Sequence, residues 1–450
     1  MLSYRRILGR AWPIVLANCA VPLLGLVDTA VIGNTGSVEA LGAIALGTLV
    51  FSFVYWTFGF LRMGTTGFTA QAAGAGDEPE VRASLARALL TAGALGTAIV
   101  LLQAPIARAA TALLSAGAEI EQITRDYILI RAWGAPATLA IFALNGTLIG
   151  LGRGRALLAV HLALNGLNVA LDILFAGALG WGAKGIALGT AIAEWATLGV
   201  ALAVTVRLLR RRHVDEAAFW PLPRIRDRAR LVGTLRANAD IMVRTLFLLF
   251  GFAWFTNQGA RYGDTILAAN HVLLQLISLS AFFLDGFAFV TESLVGSAVG
   301  TGSRADFDRA VRRSTELAAA TALLLAGGIA VFGSAAISAL TDLVPTRDAA
   351  SRYLPFAAIY VLLSFPAFQL DGVFIGATRT HDMRNASILS VAAFLAAWWV
   401  LATSYGNGGL WTAFVVYVVA RALALLRRLP ALRASLAPDS PGEGRPQVTT

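Results

Sequence analysis

Two carboxylates interrupt stretches of sequence that are otherwise uncharged. Asp28 is the only charged residue in 11–38, and Asp172 is the only one in 156–183. Each acid lies at nearly the same distance from the charged residues that flank its stretch. If the two stretches are parallel helices, the carboxylates occupy nearly the same depth.

Neutral oxygen ligands accompany these acids. Asn168 precedes Asp172 by one helical turn and shares its face. Thr190, on the next apolar stretch, reaches a similar depth at about 1.5 Å of rise per residue. An ionised carboxylate at bilayer depth costs at least about 2.5 to 3.5 kcal/mol, and such groups mark ion or substrate pathways. The four residues form a candidate cation-coupling site for H⁺ or Na⁺. In the alternative interpretation, each acid only accepts hydrogen bonds from neighbouring helices.

The composition shows what must position these groups. The 450 residues are 57% hydrophobic and 14% charged, with a mean hydropathy of +0.70, whereas soluble domains carry about a quarter charged residues. Apolar blocks long enough to cross a bilayer recur along the chain without the alternation of barrel strands. We predict an all-α integral membrane protein with twelve transmembrane helices, near 11–33, 40–61, 88–107, 127–149, 156–180, 185–206, 237–257, 265–290, 314–341, 353–377, 385–404 and 409–427.

The net charge of +10 follows the predicted topology. With the N-terminus assigned to the cytoplasm, most Lys and Arg residues fall in inner segments, as the positive-inside rule requires. We therefore expect a multi-pass protein of the bacterial inner membrane with both termini cytoplasmic, surrounded by membrane lipids and without a nucleic-acid partner. Cys19 is the single cysteine, so an internal disulfide is excluded.

An internal repeat appears when the sequence is shifted by 226 residues. QAAGAGD at 71–77 falls on SAVGTGS at 297–303, and NGTLIGLGR at 145–153 falls on DGVFIGATR at 371–379. Six crossings per copy give two lobes related by an axis along the membrane normal. The predicted organisation is an N-terminal lobe at 1–206, a basic cytoplasmic linker at 207–236, a C-terminal lobe at 237–430 and a disordered tail at 431–450.

The second copy lacks the first-lobe constellation, because the shift places Trp254, Phe394, Trp398 and Val416 at those positions. It carries other embedded charges that are candidate functional residues: Asp240, Arg244, Asp285, Glu292 and Asp371. Asp240 and Arg244 are one turn apart, so we expect them to pair with each other. Glu292 and Asp371 are expected nearer to the inner helix ends, where solvation is easier.

Several long motifs, in order, resemble one transporter family. VPLLGLVDTAVIG, RMGTTGFTAQAAGAGD, NADIMVRT, FFLDGFAFVTESLVG and LDGVFIGATRTHDMRN are similar to motifs of the multidrug and toxic compound extrusion (MATE) transporters, specifically their DNA-damage-inducible DinF branch. The resemblance implies a two-lobe antiporter that exports amphipathic, often cationic compounds while H⁺ or Na⁺ flows inward. It also implies that Asp28, Asn168, Asp172 and Thr190 bind the coupling cation.

The function expected on these grounds is secondary active multidrug efflux by alternating access, with a small amphipathic substrate, no cofactor besides the coupling ion, and a monomeric chain. A lipid or lipid-linked precursor flippase is the alternative, and it predicts a wide cavity lined by arginines. Only Arg131 and Arg244 are identified as charged cavity candidates, which disfavours polyanionic cargo. An intramembrane enzyme is disfavoured because His161 and His271 lie far apart, without a metal-binding motif.

Overall fold

The computed structural model describes residues 3–35, 37–114, 117–213 and 218–436, with the side chains of 21–35, 38, 113 and 114 outside the description. The regular elements of these ranges are helices, which confirms the predicted all-α class. Their bounds are α1 Tyr4–Thr35, α2 Val38–Thr57, α3 Phe60–Gly74, α4 Glu78–Leu101, α5 Gln103–Leu114, α6 Ala118–Arg131, α7 Ala135–Gly150, α8 Gly154–Asp172, α9 Gly182–Arg212, α10 Leu222–Ile225, α11 Arg228–Ala260, α12 Asp264–Gly300, α13 Arg304–Leu340, α14 Val344–Gly376 and α15 Thr380–Ala434.

Twelve crossings can be read from these helices. Ten helical segments in the searched part of the chain are long and apolar enough to span a bilayer. The last of them, α15, contains a non-helical residue, Gly406 (φ 54°, ψ −133°), which divides it into two crossings. The amino-terminal helix α1 is the twelfth. The predicted number therefore agrees with the helices present.

Several helices continue well beyond their predicted ends. The second crossing was expected to end near residue 61, but α2 and α3 together carry it to Gly74. The extension contains threonines, and their hydroxyls bond to carbonyls one turn back: Thr65 to Leu61 O at 2.6 Å and Thr66 to Arg62 O at 2.9 Å. These bonds satisfy the polar groups within the helix, so the segment stays helical although it is less apolar.

Two sets of helices form the two lobes. We call α1–α9 the N-lobe and α11–α15 the C-lobe, because the largest apolar cluster of the C-lobe is built from α11–α15 and the matching one of the N-lobe mainly from α2–α9. The connector between them is partly helical, since α9 runs to Arg212 and α11 begins at Arg228. Backbone oxygens of the connector accept bonds from α4, including one from Arg87 to Arg224 O at 2.8 Å.

The repeat seen in the sequence is present in the backbone. Gly76 and Gly302, which are 226 residues apart, both adopt left-handed conformations, with φ of 71° and 70°. The residues that follow them, Asp77 and Ser303, both cap the next helix through a side-chain oxygen. The same local geometry therefore begins α4 in one lobe and α13 in the other.

Glycines let two helices of each lobe approach at backbone distance. A Cβ added at Gly146 would lie 2.4 Å from Arg62 O, and one added at Gly372 would lie 2.6 Å from Ala288 O. Gly150 and Gly376, four residues later, meet the same partner helices one turn further on. Small residues spaced by four are the usual means of close packing between membrane helices. These contacts fix the positions of α3 and α12, which line the space between the lobes.

We predict that Gly146→Ala destabilises the protein by about 1 to 3 kcal/mol, because the added methyl group overlaps a backbone oxygen that cannot move independently. Gly93→Ala is the matched control, since a Cβ at Gly93 meets nothing within 4 Å. Thermal unfolding in detergent should show a lower midpoint for Gly146→Ala only. Equal midpoints for the two variants would contradict the packing described.

Candidate functional site

Two of the predicted cation ligands are fully buried at the end of α8. Asn168 and Asp172 are both 0% exposed. A π-helical turn, Ile173–Ala178, follows Asp172 directly; such turns interrupt the regular hydrogen-bond ladder and are frequent at functional sites. Both side-chain polar atoms of Asn168 lack a hydrogen-bond partner among the described residues. Its amide oxygen is therefore available to a ligand.

The helix α9 passes Asp172 next to the third predicted ligand. A Cβ added at Gly189 would lie 2.9 Å from Oδ1 of Asp172, and Thr190 is the following residue. Thr190 is 7% exposed, and its hydroxyl donates to Ile186 O at 2.9 Å, which leaves the oxygen lone pairs free to accept. The structure thus brings α8 and α9 together at the predicted level.

Asp28 lies on α1, but its side chain is outside the described residues. Among the residues that could be searched, there is no group of three or more His, Cys, Asp and Glu side chains arranged to hold a metal ion. That search does not include Asp28. The assignment of a cation to Asp28, Asn168, Asp172 and Thr190 stays a prediction.

A central cavity of about 350 Å³ lies between the lobes. Its walls are largely aromatic and aliphatic, with Tyr55, Trp56 and Phe142 from the N-lobe and Phe252 and Tyr360 from the C-lobe. Six ionisable side chains also line it. They are Arg62, Arg244, Arg421, Asp285, Glu292 and Asp371. Three guanidinium groups thus face three carboxyl groups, and an amphipathic molecule finds both apolar walls and charges of either sign.

One ion pair of the cavity joins the two lobes. Nη1 of Arg62, on α3, lies 3.0 Å from Oε2 of Glu292, on α12, and the carboxylate side chain is 1% exposed. The guanidinium also lies over the ring of Phe289 at 3.9 Å. Glu292 is therefore buried between the lobes rather than solvated near a helix end, which corrects the expectation from the sequence.

The other C-lobe charges pair differently from the prediction. Arg244 bonds to Asp371, and Arg421 approaches the same carboxylate at 4.0 Å. Asp240 instead accepts a bond from Arg384 at 2.6 Å. The expected pair of Asp240 with Arg244 is wrong, because α14 and α15 each present a better-placed partner to a different face of α11. Asp371 is only 6% exposed, so it too is buried rather than solvated.

Asp285 is the remaining carboxyl group of the cavity. It forms no ion pair or side-chain hydrogen bond with another described residue, although it shares the cavity with Arg62 and Arg244. The other acids of the cavity, Glu292 and Asp371, are held by arginines. Asp285 is therefore the acid most accessible to the positive group of a bound molecule.

The arginines of the cavity were mostly missed by sequence reasoning. Arg131 does not line the cavity; it donates to Glu194 at 2.7 Å within the N-lobe and lies over the ring of Tyr55 at 5.7 Å. Arg62 and Arg421 do line it. Arg62 was taken as a boundary residue because the end of its helix was placed too early. A longer second helix, indicated by the threonines that follow Arg62, would have placed it inside the membrane.

Two pseudo-symmetric helical lobes around a central cavity that holds charges define a membrane transporter rather than an enzyme. The chain matches the model of the MatE family twice, at residues 13–174 and 241–398, once in each lobe. It is 36% identical over 418 residues to the DNA damage-inducible protein F of Escherichia coli K12, covering 92% of this chain and 89% of that protein. The chain belongs to the MatE family of transporters.

More distant relatives agree with this assignment. A probable multidrug resistance protein NorM of Deinococcus radiodurans is 30% identical over 417 residues, covering 90% of this chain and 87% of that protein. The fold is similar to that of a MOP superfamily transporter from Pyrococcus furiosus, with a TM-score of 0.86 and 18% identity over 96% of each chain. An outward-facing multidrug resistance MATE transporter gives a TM-score of 0.85 at 19% identity, also over 96% of each chain. The predicted family and two-lobe fold are confirmed.

We predict that Arg62 and Glu292 are strongly coupled in stability. Removing one partner leaves a buried charge without compensation, which costs about 3 to 5 kcal/mol. Arg62→Gln and Glu292→Gln should each lower the thermal unfolding midpoint, and the double variant should lose less than the sum of the two. A double-mutant cycle measures this difference. Strict additivity would mean that the pair contributes nothing across the lobe interface.

Proposed function

We propose that the protein is a secondary active multidrug efflux antiporter that exports small amphipathic, often cationic compounds in exchange for inward H⁺ or Na⁺. The observation that carries the proposal is the combination of an aromatic central cavity with a separate cluster of buried oxygen ligands in the N-lobe. A transporter that couples two fluxes needs both a substrate site and an ion site. The printed names of the relatives, which include multidrug resistance proteins, agree with this.

The repeat supports a shared pocket for the two first-lobe acids. The shift of 226 residues relates Asp28 to Trp254 and Asp172 to Trp398. The ring centroids of these two tryptophans are 5.2 Å apart in the C-lobe. If the lobes keep the same helix arrangement, positions 28 and 172 face one another in the N-lobe. A cation held there would be shared by two carboxylates, with Asn168 and Thr190 as neutral ligands.

Alternating access requires the lobes to separate at the level where they now touch. The ion pair of Arg62 with Glu292 is one such contact. The cation cluster lies on α8 and α9, and Glu194, one turn after Thr190, bonds to Arg131 beside Tyr55 of the cavity. This is a contiguous polar route between the two sites. Cation and substrate exchange only if they stabilise different conformations, and we infer that this route carries the difference.

The membrane placement proposed from the charge distribution puts Arg6, Arg10 and Arg212 on the cytoplasmic side, together with both termini. We propose the bacterial inner membrane as the location, because the relative from Escherichia coli covers nearly the whole chain. The two lobes enclose the central cavity within one chain, so a monomer is sufficient for transport. Surrounding lipids contact the exposed apolar faces of helices such as α13.

We predict that Asp172→Asn abolishes export driven by an ion gradient, because the neutral side chain no longer binds a proton or a cation of the same charge. Asp28→Asn and Asn168→Ala should reduce it. Dye export from proteoliposomes under separately imposed pH and sodium gradients measures the effect and identifies the coupling ion. Asp126→Asn is the matched control, since Asp126 pairs with the largely exposed Lys184. Unchanged export by Asp172→Asn would refute this ion site.

A lipid or lipid-linked precursor flippase is the second candidate, and one observation favours it more than the sequence did. Three arginines line the cavity instead of one. Each of them is close to a carboxylate, however, so the cavity carries no net positive charge for a polyanionic headgroup. Movement of a fluorescent anionic lipid by the purified protein, without movement of a cationic dye, would favour the flippase.

We predict that Asp285→Asn raises the dissociation constant of a monocationic dye about tenfold, because a charge-assisted contact contributes about 1.5 to 3 kcal/mol. Fluorescence titration of the purified protein measures the affinity directly. Asp264→Asn, at the exposed start of α12, is the matched control and should bind normally. Equal affinities for the two variants would show that Asp285 does not contact the cationic group.

A further inference from the structure

A second cavity, of about 720 Å³, opens between the lobes at the end of the molecule where α1 begins. Its N-lobe wall includes Arg6 and Arg10 on α1 and Arg212 at the end of α9. Its C-lobe wall includes Asp306 and Arg309 on α13. Four arginines and one aspartate line the same space. We call it the basic cavity, and it is separate from the central cavity.

Two of the four arginines are already neutralised. Arg212 bonds to Glu78 at 3.1 Å through Nε, and Arg309 bonds to Asp306 at 2.6 Å. Arg6 and Arg10 have no acidic partner among the described residues. They are one helical turn apart, so their charges repel. The basic cavity therefore contains two adjacent guanidinium groups that lack a counterion from the protein.

The direction of these arginines is unusual for residues at a membrane surface. The exposed face of α1 carries large apolar side chains instead: Tyr4, Leu8 and Trp12 are 45%, 45% and 60% exposed. Arg6 and Arg10 lie on the opposite side of the helix and line the space between the lobes. Orienting the chain in the membrane requires basic residues near the cytoplasmic surface but does not require them to point inward.

The backbone leaves room for the Arg10 guanidinium. Gly152 adopts φ +66°, and a Cβ there would lie 3.2 Å from Nη1 of Arg10. Ser293 and Ser297, on α12, contribute hydroxyl groups to the same cavity. Guanidinium groups with nearby hydroxyls form the donor set that binds phosphate oxygens. Basic pockets between helices on the cytoplasmic side are suited to phosphate-bearing headgroups.

We propose that the basic cavity binds a phosphate-bearing anion through Arg6 and Arg10, and that the bound anion holds the two lobes together at this end. The anion is either a soluble phosphate or the headgroup of an anionic phospholipid, which share this chemistry. Because its walls come from both lobes, occupancy stabilises the arrangement in which they meet here. A ligand with this preference shifts the population toward that arrangement.

The test measures thermal unfolding and direct anion binding of the full chain, without any transport. One arm titrates inorganic phosphate in neutral detergent at constant ionic strength. The other compares nanodiscs of phosphatidylcholine with nanodiscs that also contain phosphatidylglycerol. We expect a higher unfolding midpoint in at least one arm, because a ligand that binds only the folded protein stabilises it. A response to phosphate alone identifies a soluble ligand, and a response to phosphatidylglycerol alone identifies a lipid.

Variants then assign the effect to the cavity. Arg10→Gln should weaken anion binding about tenfold or more, since it removes a charge-assisted contact. Arg427→Gln, an exposed arginine of α15, is the matched control and should respond as the unaltered protein does. Ser297→Asp, which keeps every arginine and adds a negative charge, should abolish the response if Arg10→Gln does not fold. No response in either arm, or an equal response from Arg10→Gln, overturns the proposal.

Discussion

A charge inside the apolar part of this protein is costly unless an opposite charge or a ligand faces it. Most of the described interior arginines have such a partner: Arg62 has Glu292, Arg131 has Glu194, and Arg244 has Asp371. The first of these pairs is the one that crosses between the lobes. Separating the lobes exposes both charges, so this contact sets a cost for any motion that opens this side of the central cavity.

Close packing of backbones determines where those charges lie. Gly146 and Gly372 bring α7 onto α3 and α14 onto α12 in equivalent ways, and α3 and α12 carry Arg62 and Glu292. The duplicated packing unit thus places one partner of the interlobe ion pair in each lobe. The lobes differ in the residues mounted on this common frame: buried oxygen ligands at Asn168 and Asp172, but aromatic rings at Phe394 and Trp398.

Much of the fold was predictable from the sequence, because bilayer crossings need long apolar stretches and the repeat keeps one offset. The burial of Asn168 and Asp172 was predictable for the same reason, since both lie deep within such a stretch. The partners of Arg244 and Asp240 were not. Helical spacing identifies neighbours within a helix, whereas these charges are satisfied by α14 and α15, whose rotation about their axes is set by packing. Arg62 was missed because hydropathy underestimates helices rich in threonine and glycine.

Gly152 and Thr378 occupy the same position in the two copies of the repeat, and both have a positive φ, 66° and 52°. In one copy, the threonine side chain fills the turn and its hydroxyl accepts a hydrogen bond at 3.1 Å from Gln71 of the other lobe. In the other copy, glycine presents no side chain, and its counterpart across the seam is the shorter Ser297. Divergence at two positions has closed one half of an ancestral seam and left the other half hollow, with a guanidinium group at its edge.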